Sequence, residues 1–228
     1  MTDTALVTGA GRGIGREVAR QLAAAGLHIV ATARTAAVAE AVALEVRGTP
    51  LVLDVADPAS IVSAAESVRE LDVLVSNAAA YPDWQATALT VDLDDVELAW
   101  RTNVLGPWRL ARAFAPALAR SANARIVNVT SGSGSHGDPQ FGLGAGAGMA
   151  PYAVTKAAAN ALTRKLAAAL PGARVNAVDP GLTATAPGME AMGARPVAEG
   201  AASVVWAAML GPDGPTGGFF RDGRPHPW

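Results

Sequence analysis

The chain of 228 residues contains no cysteine, which excludes disulfides and thiolate metal sites. Its three histidines, His28, His136 and His226, are far apart and show no H-x-x-x-H or H-E-x-x-H spacing, so the sequence outlines no metal site. Runs of one charge sign are absent: 18 Lys and Arg stand against 20 Asp and Glu, a formal net charge of −2. That balance argues against nucleic-acid binding through a basic patch and against an acidic disordered tail. No apolar stretch is long enough to span a membrane, because Arg, Glu and Gly interrupt the Ala-rich segments. The N-terminus enters a strand-like run without a basic region and apolar core, so no secretory leader is expected and the expected location is the cytoplasm. Tyrosine and lysine are scarce, with only Tyr81, Tyr152, Lys156 and Lys165.

Hydrophobic residues make up 50% of the chain, ample for a core. Short apolar runs alternate with longer helical patterns. Strands are expected near 6–8, 28–32, 50–53, 72–76, 125–130, 174–178 and 219–220. Helices are expected near 15–25, 36–46, 58–68, 93–118, 151–170 and 197–210. Strand alternating with helix predicts an α/β fold with a parallel sheet of about seven strands, covered by helices on both faces. Right-handed crossovers make it a doubly wound, Rossmann-type sheet in one domain spanning 1–228. Ligands of such sheets lie beyond the carboxyl ends of the strands. The Gly-rich stretch near 132–150 is a long irregular insertion of the kind that often carries function.

Thr8-Gly9-Ala10-Gly11-Arg12-Gly13-Ile14-Gly15 joins the first strand to the first helix. Its glycines permit a tight turn and close approach of a ligand. The helix start offers free N–H groups and a partial positive charge to a pyrophosphate. Gly9, Gly13, Ile14 and Gly15 are therefore candidate cofactor contacts, with a plain tight turn as the alternative. The second strand ends in Ala33-Arg34 where NAD sites place an acidic residue. Arg12 and Arg34, with no opposing carboxylate, suit a 2′-phosphate and predict NADP(H) over NAD(H). The plainer alternative is two surface arginines.

Tyr152-Ala153-Val154-Thr155-Lys156 places a phenol and an ammonium four residues apart, on one face of an Ala-rich helix. A nearby cation is expected to lower the phenol's pKa and let Tyr152 exchange a proton with a substrate oxygen. Alone, this spacing also describes a surface helix with a snorkelling lysine.

Together the glycine loop and the Tyr152/Lys156 pair resemble the short-chain dehydrogenase/reductase family, and the resemblance covers nearly the whole chain. Leu53-Asp54-Val55 matches the segment after the third strand, implying that Asp54 and Val55 meet the adenine. Ser76-Asn77-Ala78-Ala79 stands where the family has N-N-A-G, departing at Ser76 and Ala79; Asn77 and Ala78 are implied cofactor contacts. Asn103 matches the asparagine that holds a catalytic water, and Ser131 the catalytic serine after the fifth strand. Pro180-Gly181 matches the turn beside the nicotinamide, and Thr183 and Thr185 the positions at its carboxamide end. The segment near 182–196 is then the expected substrate lid. Gly217 to Gly223 and the length between Ser131 and Tyr152 resemble the carbonyl-reductase-like branch.

The resemblance implies a catalytic tetrad of Asn103, Ser131, Tyr152 and Lys156. Tyr152 donates the proton, Ser131 holds the carbonyl oxygen, and Lys156 tunes Tyr152 and binds the nicotinamide ribose. The expected activity is NADPH-dependent reduction of a ketone or aldehyde. Oxidation of an alcohol with NADP, or a non-catalytic NADP-binding sensor or scaffold, are the alternatives. Read singly, Ser131 is also a simple turn residue, and Asn103 also the cap of a helix break before Gly106-Pro107. Tyr81, Trp84, Phe141, Met149, Met189 and Met192 suggest an apolar substrate pocket or plain packing; Arg195 leaves an anionic substrate group open. Expected partners are a small carbonyl or alcohol substrate, with no nucleic acid and no membrane; self-association stays open.

Overall fold

The computed structural model describes residues 2–228. Among these residues one sheet holds eight strands in the order β3-β2-β1-β4-β5-β6-β7-β8. They are β1 Thr4–Val7, β2 His28–Ala33, β3 Thr49–Val52, β4 Val73–Ser76, β5 Ala124–Val129, β6 Ala173–Val178, β7 Phe219–Arg221 and β8 Arg224–Pro225. The first seven pair in parallel. The eighth, outside the expected set, runs antiparallel to β7. Asp222 and Gly223 both take positive φ, 53° and 72°, the two-residue hairpin geometry that matches strand twist.

Among the described residues, seven α-helices connect the strands: α1 Gly13–Ala24, α2 Ala36–Val46, α3 Pro58–Ser67, α4 Leu93–Trp100, α5 Gly106–Leu118, α6 Ala150–Ala169 and α7 Val197–Ala208. Successive strand side chains point to opposite faces, and the core divides accordingly. Ala5, Val7, Val73, Val75, Val127 and Val129 pack under α1, α2 and α7. Leu6, Leu74 and Ile126 pack under α3, α5 and α6, around the fully buried Phe114. Both faces of β5 are covered, and all six of its residues are buried, as a central parallel strand requires. None of the helices among the described residues is long and apolar enough to cross a membrane.

The single helix expected over 93–118 is interrupted. Arg101–Leu105 forms a wider π-helical turn between α4 and α5. Pro107 has no N–H to give the Asn103 carbonyl four residues back, and the Gly106 N–H reaches five residues back, to Arg101. The widened turn carries Asn103, and such turns recur at functional sites.

The strand order reverses between β1 and β4, which places the ligand crevice of a doubly wound sheet above their carboxyl ends. The glycine loop follows β1, Asn77 follows β4, Ser131 follows β5 and Pro180-Gly181 follows β6. All four segments open on that crevice.

Candidate active site

Gly9 and Gly13 have φ values of 67° and 53°, in the left-handed region that side chains with Cβ disfavour. A Cβ on Gly15 would collide with the Gly9 carbonyl oxygen and Asn77 Nδ2, so the loop closes on itself only with glycine there. Thr8 ties this loop to the next one. Its Oγ1 accepts the N–H groups of Asn77 (2.9 Å) and Ala78 (3.0 Å) and donates to the Val75 carbonyl (3.2 Å). Asn77 Nδ2 donates back to the Thr8 carbonyl at 2.9 Å. The two loops are therefore one rigid unit, and Asn77 and Ala78 are held by it.

Helix α1 begins without a side-chain cap from Arg12, which leaves its first N–H groups for an anion. Arg12 and Arg34 are exposed, and among the described residues neither belongs to an ion pair. A capless helix start and a glycine-rich loop fit the phosphates of a dinucleotide. Asp54 turns part of its carboxylate inward: Oδ1 accepts the Ala56 N–H at 2.9 Å. Val55 is buried, and its carbonyl lies only 3.1 Å from where a Cβ on Gly106 would sit.

Tyr152 and Lys156 lie together on α6. Tyr152 is 7% exposed and Lys156 3%. Lys156 Nζ donates to the Val129 carbonyl at 2.8 Å and lies 5.4 Å from the Tyr152 ring centre. Burial lowers Lys156 from 10.5 to about 8, against a raising influence of Asp179. Burial, together with the adjacent Tyr81 phenol, pushes Tyr152 well above the ordinary 10; a hydrogen bond with Ser131 acts in the opposite sense. The expected lowering of the phenol by Lys156 is therefore not what the structure has. Desolvation of the phenolate and the neighbouring phenol dominate. Ser131 Oγ donates to Ser133 Oγ and accepts the Ser133 N–H, both at 3.2 Å.

Tyr81 stacks on Tyr152, with ring centres 4.7 Å apart and planes inclined by 23°. The two hydroxyls are 3.4 Å apart. Tyr81 is itself 66% exposed, so it forms the solvent-facing cover over the buried phenol. Tyr81, one of the residues expected around a substrate, thus touches Tyr152.

Asn103 is buried, and its side chain is already engaged. Oδ1 accepts the Ala80 N–H at 2.8 Å, while Nδ2 donates to the Ala80 carbonyl at 3.0 Å and to Thr155 Oγ1 at 3.1 Å. The amide thus clamps the loop after β4 to α6 one residue before Lys156.

After β6, Thr183 Oγ1 donates within its own turn, to the carbonyls of Pro180 (3.1 Å) and Gly181 (3.0 Å). Gly181 has φ 70°. Thr183 pairs with Arg195 through the backbone, pinning both ends of the segment between them. At its outer end Thr185 is exposed, with Cγ2 3.4 Å from where a Cβ on Gly13 would sit. The segment therefore reaches over the glycine loop. Arg195 donates to the Pro180 carbonyl at 2.7 Å and to both Asp222 oxygens at 2.8 and 3.0 Å, a bracing role for the group left open for a substrate anion.

Comparison with known proteins agrees with this arrangement. The model of the short chain dehydrogenase family matches residues 3–194. The chain belongs to the short-chain dehydrogenase family. This short-chain dehydrogenase is 37% identical to the 3-oxoacyl-[acyl-carrier-protein] reductase FabG of Escherichia coli (strain K12), over 79% of the chain and 73% of the relative. It is 34% identical to a (+)-neomenthol dehydrogenase of Arabidopsis thaliana, with 95% of both chains covered. Salutaridine reductase of Papaver somniferum superposes with a TM-score of 0.81 at 26% identity, covering 96% of this chain and 99% of that one. The short-chain dehydrogenase is thus an oxidoreductase of a family that uses a nicotinamide cofactor and acts on small molecules.

Several organising residues of this dehydrogenase escape sequence reasoning. Thr8 and Thr155 act through hydroxyls that no spacing rule singles out. The contact of Tyr81 with Tyr152 joins residues 71 apart. Asp138, Asp179, Arg221 and His226 converge from four segments into one ion-pair cluster. The available signal was an Asp at the end of an apolar strand and an Arg after Phe219-Phe220.

Proposed function

We propose that this short-chain dehydrogenase reduces a ketone or aldehyde to an alcohol with NADPH, with Tyr152 as proton donor. The observation that carries this reading is the meeting of Ser131, Tyr152 and Lys156 where β5 ends and α6 begins. Arg12 and Arg34, exposed and outside any ion pair among the described residues, support NADP(H) over NAD(H). Gly9, Gly13, Ile14 and Gly15 would hold the pyrophosphate. Asp54 and Val55 would hold the adenine side. Asn77, Ala78, Pro180, Gly181, Thr183 and Thr185 would hold the nicotinamide half.

When bound, NADPH supplies a hydride to the carbonyl carbon. Ser131 donates a hydrogen bond to the substrate oxygen, and Tyr152 gives that oxygen its proton. The raised pKa of Tyr152 keeps the phenol protonated across neutral pH, which suits an acid in the reductive direction. General acid catalysis of this kind contributes about 10²–10⁴-fold. Below about pH 8 Lys156 is charged, and in that state it holds the nicotinamide ribose and stabilises the phenolate left after transfer. The side chain of Asn103 is engaged with Ala80 and Thr155, so a relay water would be held by its backbone carbonyl, which Pro107 leaves without an i+4 donor.

Tyr81, Trp84, Phe141, Met149, Met189 and Met192 favour a mainly apolar substrate, and relatives named for reductase and dehydrogenase activities support the reaction class. The segment over 182–196 would close on it. A spectrophotometric screen of aldehydes, ketones and quinones with NADPH and NADH tests the reading. Turnover with a higher kcat/KM for NADPH is expected. NADPH binding with no turnover on any carbonyl would indicate a non-catalytic binder instead.

A further inference from the structure

One buried carboxylate lies under the turn that follows Ser131 and has no part in the mechanism above. Asp179, at the end of β6, is 2% exposed. Its Oδ1 accepts the Gly181 N–H at 2.8 Å. Its Oδ2 accepts from Arg221 Nε at 2.8 Å and also from Nη2. The same Nη2 donates to Asp138 Oδ2 at 3.0 Å, and His226 Nε2 lies 3.1 Å from that oxygen. Gly132 rests directly on this cluster. A Cβ there would sit 2.7 Å from Asp138 Oδ2, 2.8 Å from Arg221 Nη2 and 3.1 Å from Asp179 Oδ2. The cluster therefore underlies both the residue next to Ser131 and the turn into Pro180-Gly181. Its formal charge is −1 while His226 is neutral, and burial, with Arg221, holds His226 below its ordinary range.

We propose that Asp179 and Arg221 are positioning residues of the reaction: they lock the serine turn to the Pro180-Gly181 turn, and they set the charge that Tyr152 and Lys156 face. The proposal rests on the assignment of Tyr152 and Lys156 above. Around Lys156, α6 presents Tyr152, β5 the Val129 carbonyl and the π-helical turn the uncharged Asn103. The end of β6 presents Asp179, backed by Arg221, Asp138 and His226. Asp179 raises both Lys156 and Tyr152. Removing it should lower both. Removing Arg221, which offsets its charge, should raise both.

The opposite signs give a test that needs neither cofactor nor substrate. Lys165 is exposed, and Lys165→Arg leaves Lys156 as the only lysine. In that background a carbon-13 label at lysine Cε, followed by NMR against pH, reads Lys156 directly. The midpoint should start near about 8. It should fall by about half a unit or more in Asp179→Asn and rise by a similar amount in Arg221→Met. Arg221→Lys keeps the charge and adds a second lysine signal, identified by its persistence when Lys156 is also replaced by methionine; the Lys156 midpoint should then lie within a few tenths of the parent. Equal midpoints in all variants, or shifts of one sign, would overturn the proposal and leave a purely structural ion pair, visible only as a lower melting temperature. If Asp179→Asn does not fold, Arg221→Met against Arg221→Lys decides alone. A carbonyl panel without turnover would sink the proposed reaction without touching this result.

Discussion

Replacing Lys156 with methionine removes the cation beside Tyr152 and changes how stability depends on pH. Burial lowers Lys156 from 10.5 to about 8. Each unit corresponds to about 1.4 kcal/mol, so keeping the ammonium charged in the fold costs about 3 kcal/mol at neutral pH. The folded pKa lies below the unfolded one. Below the folded pKa both states carry the charge and the full cost is present. Between the two values the folded chain has released a proton that the unfolded chain still holds, so stability rises with pH across that window. The uncharged methionine of the variant has no such slope. The wild type should therefore gain about 1 kcal/mol on the variant between about pH 7 and about pH 9. Terms independent of pH, including the lost hydrogen bond to the Val129 carbonyl (2.8 Å), cancel in this difference. The Tyr152 phenol, held well above 10, titrates beyond the window. Urea unfolding of both proteins at several pH values, analysed with a common slope, measures the difference. Parallel pH dependences would refute the buried, destabilised lysine.

Further outcomes follow from other parts of the site. Arg12→Ala and Arg34→Ala should each lower kcat/KM with NADPH by about 10- to 100-fold and leave the NADH value nearly unchanged; equal losses with both cofactors would remove the 2′-phosphate assignment. Gly134→Ala should destabilise the fold by about 1–3 kcal/mol, because a Cβ there would lie 2.5 Å from the Lys156 carbonyl carbon, in the α6 backbone. An unchanged melting temperature would contradict that contact. Tyr81→Phe leaves Tyr152 as the only tyrosine, and removing the neighbouring hydroxyl should lower its pKa; ultraviolet titration of tyrosinate reads it. A Tyr152 transition no lower than the later of the two wild-type transitions would show that Tyr81 does not perturb the acid.

The alternation of apolar runs and helical patterns was enough to read the parallel sheet, because a buried parallel strand such as β5 is apolar at consecutive positions. Strand β8 was not legible: it depends on Asp222 and Gly223 adopting positive φ, and its two residues, Arg224 and Pro225, carry no strand pattern. The break at Arg101–Leu105 was hinted at by Pro107, but periodicity alone cannot separate a widened turn from a continuous helix. At the site, Tyr152 and Lys156 were legible because helical spacing places them on one face. The sign of the Tyr152 shift was not, because it depends on burial and on Tyr81, which approaches from a loop 71 residues away. Arg221 and Asp179 were illegible as a pair for the same reason: 42 residues separate them, and only the pairing of β6 with β7 brings them together.

The measurement closest to the central claim compares wild type with Tyr152→Phe on one accepted carbonyl, with NADPH affinity measured separately by fluorescence. Phenylalanine keeps the ring that Tyr81 stacks on and removes only the hydroxyl proposed to give the proton. A fall in kcat of about 10²–10⁴-fold is expected, with NADPH affinity changed less than about threefold. Retained turnover, with cofactor binding intact, would mean that the proton comes from another group and that Tyr152 is not the acid.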